Sequence, residues 1–236
     1  MLFWHTDIHS HVCPGIDDGS PNRERSVDLV RGMWDLGFRR MIATPHVTDE
    51  LFPNTPEIIS TSYLRLIDAV KEAGIPMQFN YSAEYRMDGL FSDHLEKRIV
   101  RPLPGDKHIL VECGWTQPPF HLDGLIYELR DKHNLIPVLA HPERYPYWQH
   151  HQENYERLHN LGVLFQVNLL SLAGHYDKRC KQAAEWLLAH DMVDFVGSDL
   201  HRMSHLESLR NYFLSRDYKK MEAKQDLILN DRIFDN

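Results

Sequence analysis

The sequence predicts an α/β fold, with about seven βα units forming one closed or distorted barrel domain over residues 1–236. Short β-rich runs alternate with stretches of helical period along the whole chain, the pattern of a parallel sheet with crossover helices. No linker, low-complexity stretch or charge block divides the sequence. Six apolar runs each end in a histidine or a carboxylate: residues 3–11 (FWHTDIHSH), 41–46 (MIATPH), 79–84 (FNYSAE), 109–112 (ILVE), 136–141 (IPVLAH) and 193–201 (VDFVGSDLH). A strand that hands a polar side chain to the C-terminal rim is how a barrel builds a site.

The first run is the first strand. Ser20 is placed to cap a helix with Pro21 in its first turn, Val27, Val30, Met33 and Trp34 recur at helical spacing, and Gly37 ends it. A strand follows at 40–44, then a helix at 57–73 stopped by Gly74, a strand at 75–83 and a weaker helix at 88–99. The rhythm repeats with strand 108–112, helix 121–133, strand 135–140, helix 155–161, strand 162–168, helix 178–190 and strand 193–197. From Leu206 the chain reads as helical to its end.

Composition narrows the function. Hydrophobic content of 42% and charged content of 25% are ordinary for a soluble globular protein. A net charge of −8 argues against a nucleic-acid binder, which needs a basic face. Cys13, Cys113 and Cys180 form no CxxC pair, as expected of reduced thiols in a cytoplasmic protein. No apolar run approaches the roughly 18–20 residues of a membrane-spanning helix. The N-terminus has no basic segment leading an apolar one, so it reads as a strand and not as a signal peptide. The sequence leaves the oligomeric state open, a homo-oligomer included.

Asp7, His9 and His11 share one strand face by the period of two. Two imidazoles at that spacing can grip one metal, with Asp7 orienting one of them. The PGIDDG turn at 14–19 begins three residues after His11 and brings Asp18 to the same barrel end. His46, Glu84, Glu112 and His141 end their runs, and Asp199 and His201 follow Gly197. Each residue alone reads as a solvated strand end or a loop side chain. Together they would need six coincidences, whereas a shared metal site needs one cause.

Nine ligands are too many for one ion and suit two or three divalent ions, with Mn, Fe and Zn matching the donor types. Three divalent ions would exceed the four carboxylates by two charges, enough to accept a hydroxide and an anionic substrate. Arg144, just past His141, adds a bidentate fork suited to phosphate oxygens. The expected chemistry is phosphate-ester hydrolysis by metal-bound hydroxide. None of the cysteines is followed by Arg six positions later, so the C-x5-R loop of cysteine phosphatases is absent.

The segments DIHSHVCPGIDDGS, ATPH, AEY, VE, LAHPERY, FQVNLLSL and VGSDLH stand in this order across nearly the whole chain. In these the chain resembles PHP-domain proteins, and within them the CpsB/CapC/YwqE-type bacterial tyrosine-protein phosphatases of capsule and exopolysaccharide production. The resemblance implies a PHP-type distorted (β/α)7 TIM-like barrel and three divalent metal ions, often manganese. It implies His9, His11, Glu84 and Asp199 on the first ion, Glu84, Glu112 and His141 on the second, and Asp18, His46 and His201 on the third. Arg144 would grip the phosphate. Relatives can carry a second phosphate-facing arginine after SDLH, for which this chain offers Arg202 and His205. The implied substrate is phosphotyrosine on a membrane-associated bacterial tyrosine kinase, with Trp115, Phe120, Tyr145, Tyr147 and Trp148 available to flank the ring. Two other readings remain: a PHP phosphatase for a small monoester such as histidinol phosphate, and a weakly catalytic metal-binding interaction module.

Overall fold

The computed structural model describes residues 2–234. All strand pairs are parallel. Strands β1 (Thr6–Ser10), β2 (Arg40–Ala43) and β4 (Gln78–Tyr81) form one sheet in the order β1-β2-β4. The second sheet runs β3 (His46–Val47), β5 (Glu84–Arg86), β6 (His108–Glu112), β7 (Ile136–Ala140), β8 (Leu164–Asn168), β9 (Phe195–Gly197). β3 continues the path of β2 after Thr44-Pro45, and β5 continues β4 after Ser82-Ala83. Counted as paths, the nine strands among the described residues make the expected seven. Pro45 has no N–H to give the ladder, but its carbonyl accepts from Glu84 N at 3.0 Å and carries the pairing across the break.

The two ends of this series meet. Asp199 N donates to His9 O at 2.9 Å and His11 N to Leu200 O at 3.0 Å, so β1 closes against the chain leaving β9. The predicted barrel is therefore closed. Ile8, Ile42, Leu110, Val138 and Phe195, from five strands, pack together with Leu103 and Ile233, a cluster that only the lumen of a barrel can assemble.

The helices largely follow the predicted order. α1 (Arg23–Leu36) starts later than expected: Asn22 is the cap, accepting from Arg25 N, because the Ser20 hydroxyl donates to Asn22 O at 3.0 Å. Gly37 ends it at φ 111°, a left-handed turn that glycine adopts without strain. α2 (Pro56–Glu72) is capped by Thr55 and α3 (Gly89–Glu96) by Asp88. α4 (Leu122–Tyr127) runs into a π-helical turn, Glu128–Lys132, which completes the span expected at 121–133. α5 (Gln152–Asn160), a short α6 (Leu169–Leu172) and α7 (Lys178–Ala189) follow.

The continuous terminal helix predicted from Leu206 is not formed. α8 (Met203–Phe213) stops near Leu214, and Ser215 caps a separate α9 (Arg216–Lys220), followed by 3-10 turns at Met221–Leu227 and Asn230–Phe234. Contacts with the N-terminal side of the barrel favour this break. Asn230 Nδ2 donates to Thr6 O and Val196 O, and Asp231 accepts from His5 N and Thr6 Oγ1. Asp235 and Asn236, the last part of that predicted helix, lie outside the described residues.

Candidate metal centre

The strand ends bring all nine predicted ligands to one end of the barrel. Glu84, fully buried at the start of β5, is the hub. Its Oε2 lies 3.1 Å from His46 Nδ1, 3.2 Å from His9 Nε2 and 3.3 Å from His11 Nε2. It makes no hydrogen bond with any of them. Its Oε1 is 2.9 Å from His141 Nε2. Asp199 Oδ1 faces His9, His11 and His201 at 3.3–3.5 Å. Asp18 Oδ1 lies 3.3 Å from His201 Nε2 and 3.5 Å from His46 Nε2, and Glu112 Oε1 lies 3.5 Å from His46 Nδ1. His46 thus reaches Glu84 and Glu112 as well as its expected neighbours Asp18 and His201.

Three groups have converging donor atoms: His11, Asp18, His46 and His201; His9, His11 and Glu84; and His46, Glu84 and Glu112. His46 Nδ1, Glu84 Oε2 and Glu112 Oε2 are buried polar atoms without hydrogen-bond partners. Such atoms are costly unless a cation completes them. The electrostatics agree. Burial disfavours charge on His9, but Glu84 and Asp199 outweigh it and raise its pKa to about 9. Burial opposes charge on Glu84 and Asp199 too, yet the histidines hold both carboxyls well below the usual range. The cluster calls for positive charge, which metal ions can supply in place of imidazole protons.

The supporting residues differ in part from expectation. Asp7 does not orient a histidine: its carboxylate accepts from Ser198 N at 2.8 Å and Ser198 Oγ at 2.5 Å, with the β1 register shifting between Asp7 and Ser10. Asp17 does that work, its Oδ2 lying 2.8 Å from His11 Nδ1. The paired aspartates of the turn therefore divide, one toward His11 and the other toward His46 and His201. Gln166 Oε1 is 2.6 Å from His9 Nδ1, and Asn168 Nδ2 donates to Asp199 Oδ2 at 2.8 Å. These β8 amides were passed over because neither titrates; their alternation on a predicted strand was the available signal.

Backbone geometry is specialised at two of the predicted ligands. His141 (φ 37°) and Asp199 (φ 49°) are left-handed non-glycine residues, a strain that collects at functional sites. Gly197 is needed for a different reason: a Cβ there would lie 2.7 Å from Gln166 Nε2 and 2.8 Å from His9 Cβ. Glu143 steadies the turn after His141, accepting from Asn168 N and Ser171 Oγ.

Above the cluster is a cavity of about 160 Å3 lined by residues including Arg144, Trp115, Tyr176, Arg202 and His205. Arg144 Nη1 donates to Asp199 Oδ2 at 2.7 Å, and its guanidinium lies 4.7 Å from the Trp115 ring centre and 4.4 Å from that of Tyr176. His205 is buried, with Nδ1 3.3 Å from His201 N. Burial and then His201 push its pKa down to about 4, so it is a neutral imidazole.

Of the five predicted ring-flanking aromatics, only Trp115 lines this cavity. Tyr145 and Trp148 are buried packing residues, Tyr147 Oη donates to Gly114 O, and Phe120 stands outside, 95% exposed. Tyr176, on the loop after α6, was missed because nothing in its local sequence marks it. The three cysteines are buried and free.

Comparison with known proteins follows the same lines. The family described as capsular polysaccharide synthesis, CpsB/CapC, matches residues 5–233. Tyrosine-protein phosphatase YwqE of Bacillus subtilis is 32% identical over 200 residues, which cover 84% of this chain and 77% of that protein. Tyrosine-protein phosphatase CpsB of Streptococcus pneumoniae is 27% identical over 243 residues, covering 96% of each. A crystal structure from work on YwqE and CpsB, described there as "unique metal-dependent tyrosine phosphatases", matches with a TM-score of 0.81 at 28% identity, over 96% of this chain and 94% of that one. The Escherichia coli phosphotriesterase homology protein shares the fold alone, with a TM-score of 0.54 at 13% identity over 98% of this chain and 97% of that one. The chain belongs to the CpsB/CapC family of capsular polysaccharide synthesis proteins.

Proposed function

We propose that this protein is a metal-dependent tyrosine-protein phosphatase that acts in the cytoplasm on a membrane-associated tyrosine kinase of capsule or exopolysaccharide production. The observation that carries the reading is Glu84 Oε2, buried among three imidazole nitrogens at 3.1–3.3 Å with no hydrogen bond, beside a cavity that presents Arg144. The donor set fits three divalent ions, with manganese, iron and zinc all compatible, and the family resemblance favours manganese. His9, His11, Glu84 and Asp199 would hold one, Glu84, Glu112 and His141 a second, and Asp18, His46 and His201 a third. When bound, such ions lower the pKa of water and neutralise charge on the phosphoryl group.

The protein's own residues do the rest. Arg144 grips phosphoryl oxygens, restrained by Asp199 and by the faces of Trp115 and Tyr176. Arg202 or His205 would supply the second phosphate contact: Arg202 brings charge at the cavity edge, and His205 lines the same cavity with Nδ1 3.3 Å from both His201 N and Asp199 O. Trp115, 41% exposed and lining the cavity, is available to flank the phenyl ring.

Side-by-side kinetics on a phosphotyrosine peptide and histidinol phosphate test this reading. A higher kcat/KM for the peptide is expected. Preference for histidinol phosphate would replace the protein substrate with a small monoester, and no turnover of either by verified metal-loaded protein would leave a metal-binding interaction module.

A further inference from the structure

Beside the phosphate cavity lies a second, larger one of about 490 Å3. Trp115 lines both. Its ring stacks on His141 at 5.5 Å and 11°, so one face of this wall belongs to the metal centre. The smaller cavity has room for a phosphoryl group and little more, so the chain on either side of a phosphotyrosine must lie outside it. The groove adjoins the smaller cavity at Trp115.

The groove has a distinct character. Phe120 follows Pro118 and Pro119 and is 95% exposed, and Trp115 is 41% exposed. Large rings left in water beside a candidate active site mark a contact surface. Asp49, Glu50 and Asp88 lie along the same groove, and the carboxylates of Asp49 and Glu50 make no hydrogen bond or ion pair among the described residues. Arg86 is the one cation in the lining, and its Nε lies 3.8 Å from Glu112 Oε1, on the metal side. Aromatic rings and free carboxylates lining one groove suit a basic substrate residue, which can gain a cation–π contact or an ion pair there. An acidic side chain would meet like charge.

We propose that this groove binds the polypeptide flanking the phosphotyrosine and selects substrates with a basic residue there. The inference rests on the phosphatase reading above and names the substrate feature that the site prefers.

The test uses the full metal-loaded chain with three substrates: p-nitrophenyl phosphate, a phosphotyrosine peptide with lysines on both sides of the tyrosine, and the same peptide with glutamates. The lysine peptide should have a kcat/KM about tenfold higher, with the gap narrowing as salt is raised. In the double variant Asp49→Asn/Glu50→Gln the gap should fall to about threefold or less, with p-nitrophenyl phosphate turnover unchanged, because neither residue touches the metal cluster. Turnover of p-nitrophenyl phosphate with equal rates on the two peptides, or a full gap kept by the double variant, overturns the groove and leaves the phosphatase standing. No turnover of any of the three overturns the phosphatase reading and this inference with it.

Discussion

Arg144 Nη1 and Asp199 Oδ2 lie 2.7 Å apart, which joins the cation of the cavity above the cluster to a predicted metal ligand. Asn168 Nδ2 holds the same oxygen at 2.8 Å, while Oδ1 faces His9, His11 and His201. Removing the guanidinium therefore leaves Asp199 with one of its two fixed donors and with its ligand oxygen in place. Arg144→Ala should lower kcat/KM for a phosphotyrosine peptide by at least ~10-fold, since charge-assisted bonds are worth roughly 1.5–3 kcal/mol each. Metal content should stay near wild type. Kinetics paired with elemental analysis decide the point: wild-type turnover would make Arg144 a bystander, and loss of metal would make its role structural.

Removing the metals should remove the activity. Exhaustive chelation is expected to abolish hydrolysis of p-nitrophenyl phosphate, and added Mn2+ to restore it. Glu84→Ala should lose metals and turnover together, because its two oxygens face His9, His11, His46 and His141. Full activity in protein verified as metal-free would refute the proposed mechanism.

Asp17 makes a sharper test of the site than another ligand would. It touches no predicted donor atom other than through the His11 ring, at Nδ1, and it also accepts from His46 N at 3.2 Å. Carboxylates placed behind a ligating histidine are typically worth about 10–100-fold in metal affinity. Asp17→Ala should weaken metal binding by about that factor while the fold survives, as read by metal titration alongside circular dichroism. Unchanged affinity would show that His11 is oriented by something else.

The cysteines should be chemically silent. Burial pushes the Cys180 thiol up to about 11 and the Cys113 thiol up to about 12, and raises Cys13 further. At pH 8 a thiol of that kind is thiolate in roughly one molecule in a thousand or fewer. A disulfide reagent should therefore modify the native protein only after unfolding. A folded triple Cys→Ser variant should keep turnover within about threefold, and a loss above ~100-fold, or about 2.7 kcal/mol of barrier, would reveal a missed thiol role.

The parts of the molecule legible in the sequence were those written in local chemistry. Alternating β-rich and helical runs encode the barrel, and strand 108–112 was read to the residue. The nine titratable side chains stood out because His, Asp and Glu are conspicuous at the ends of apolar runs. What escaped was decided by partners distant in sequence. Asp7 looked like an orienting carboxylate until Ser198, 191 residues away, took both its oxygens. Gln166 and Asn168 carry no charge to attract notice, and Tyr176 acquires its place only when Arg144 folds against it. The terminal segment broke where Ser215 caps a new turn on Tyr218 N, and farther on Asn230 and Asp231 find bonding partners on Thr6 and Val196. Helical period alone does not foresee that competition.

The closure of β1 against the chain leaving β9 bears on how the protein is made. His9 and His11 leave the ribosome early, whereas Asp199 and His201 are synthesised last among the proposed ligands. A nascent chain holds only part of the proposed donor set until its two ends meet, so metal capture at the full proposed centre would be a late event in biosynthesis. Chains cut short before the ninth strand would be metal-poor for that reason alone. Ions bound at the proposed centre would thereby act as a completeness check, since only a chain that reaches and closes the ninth strand presents the full set of proposed donors.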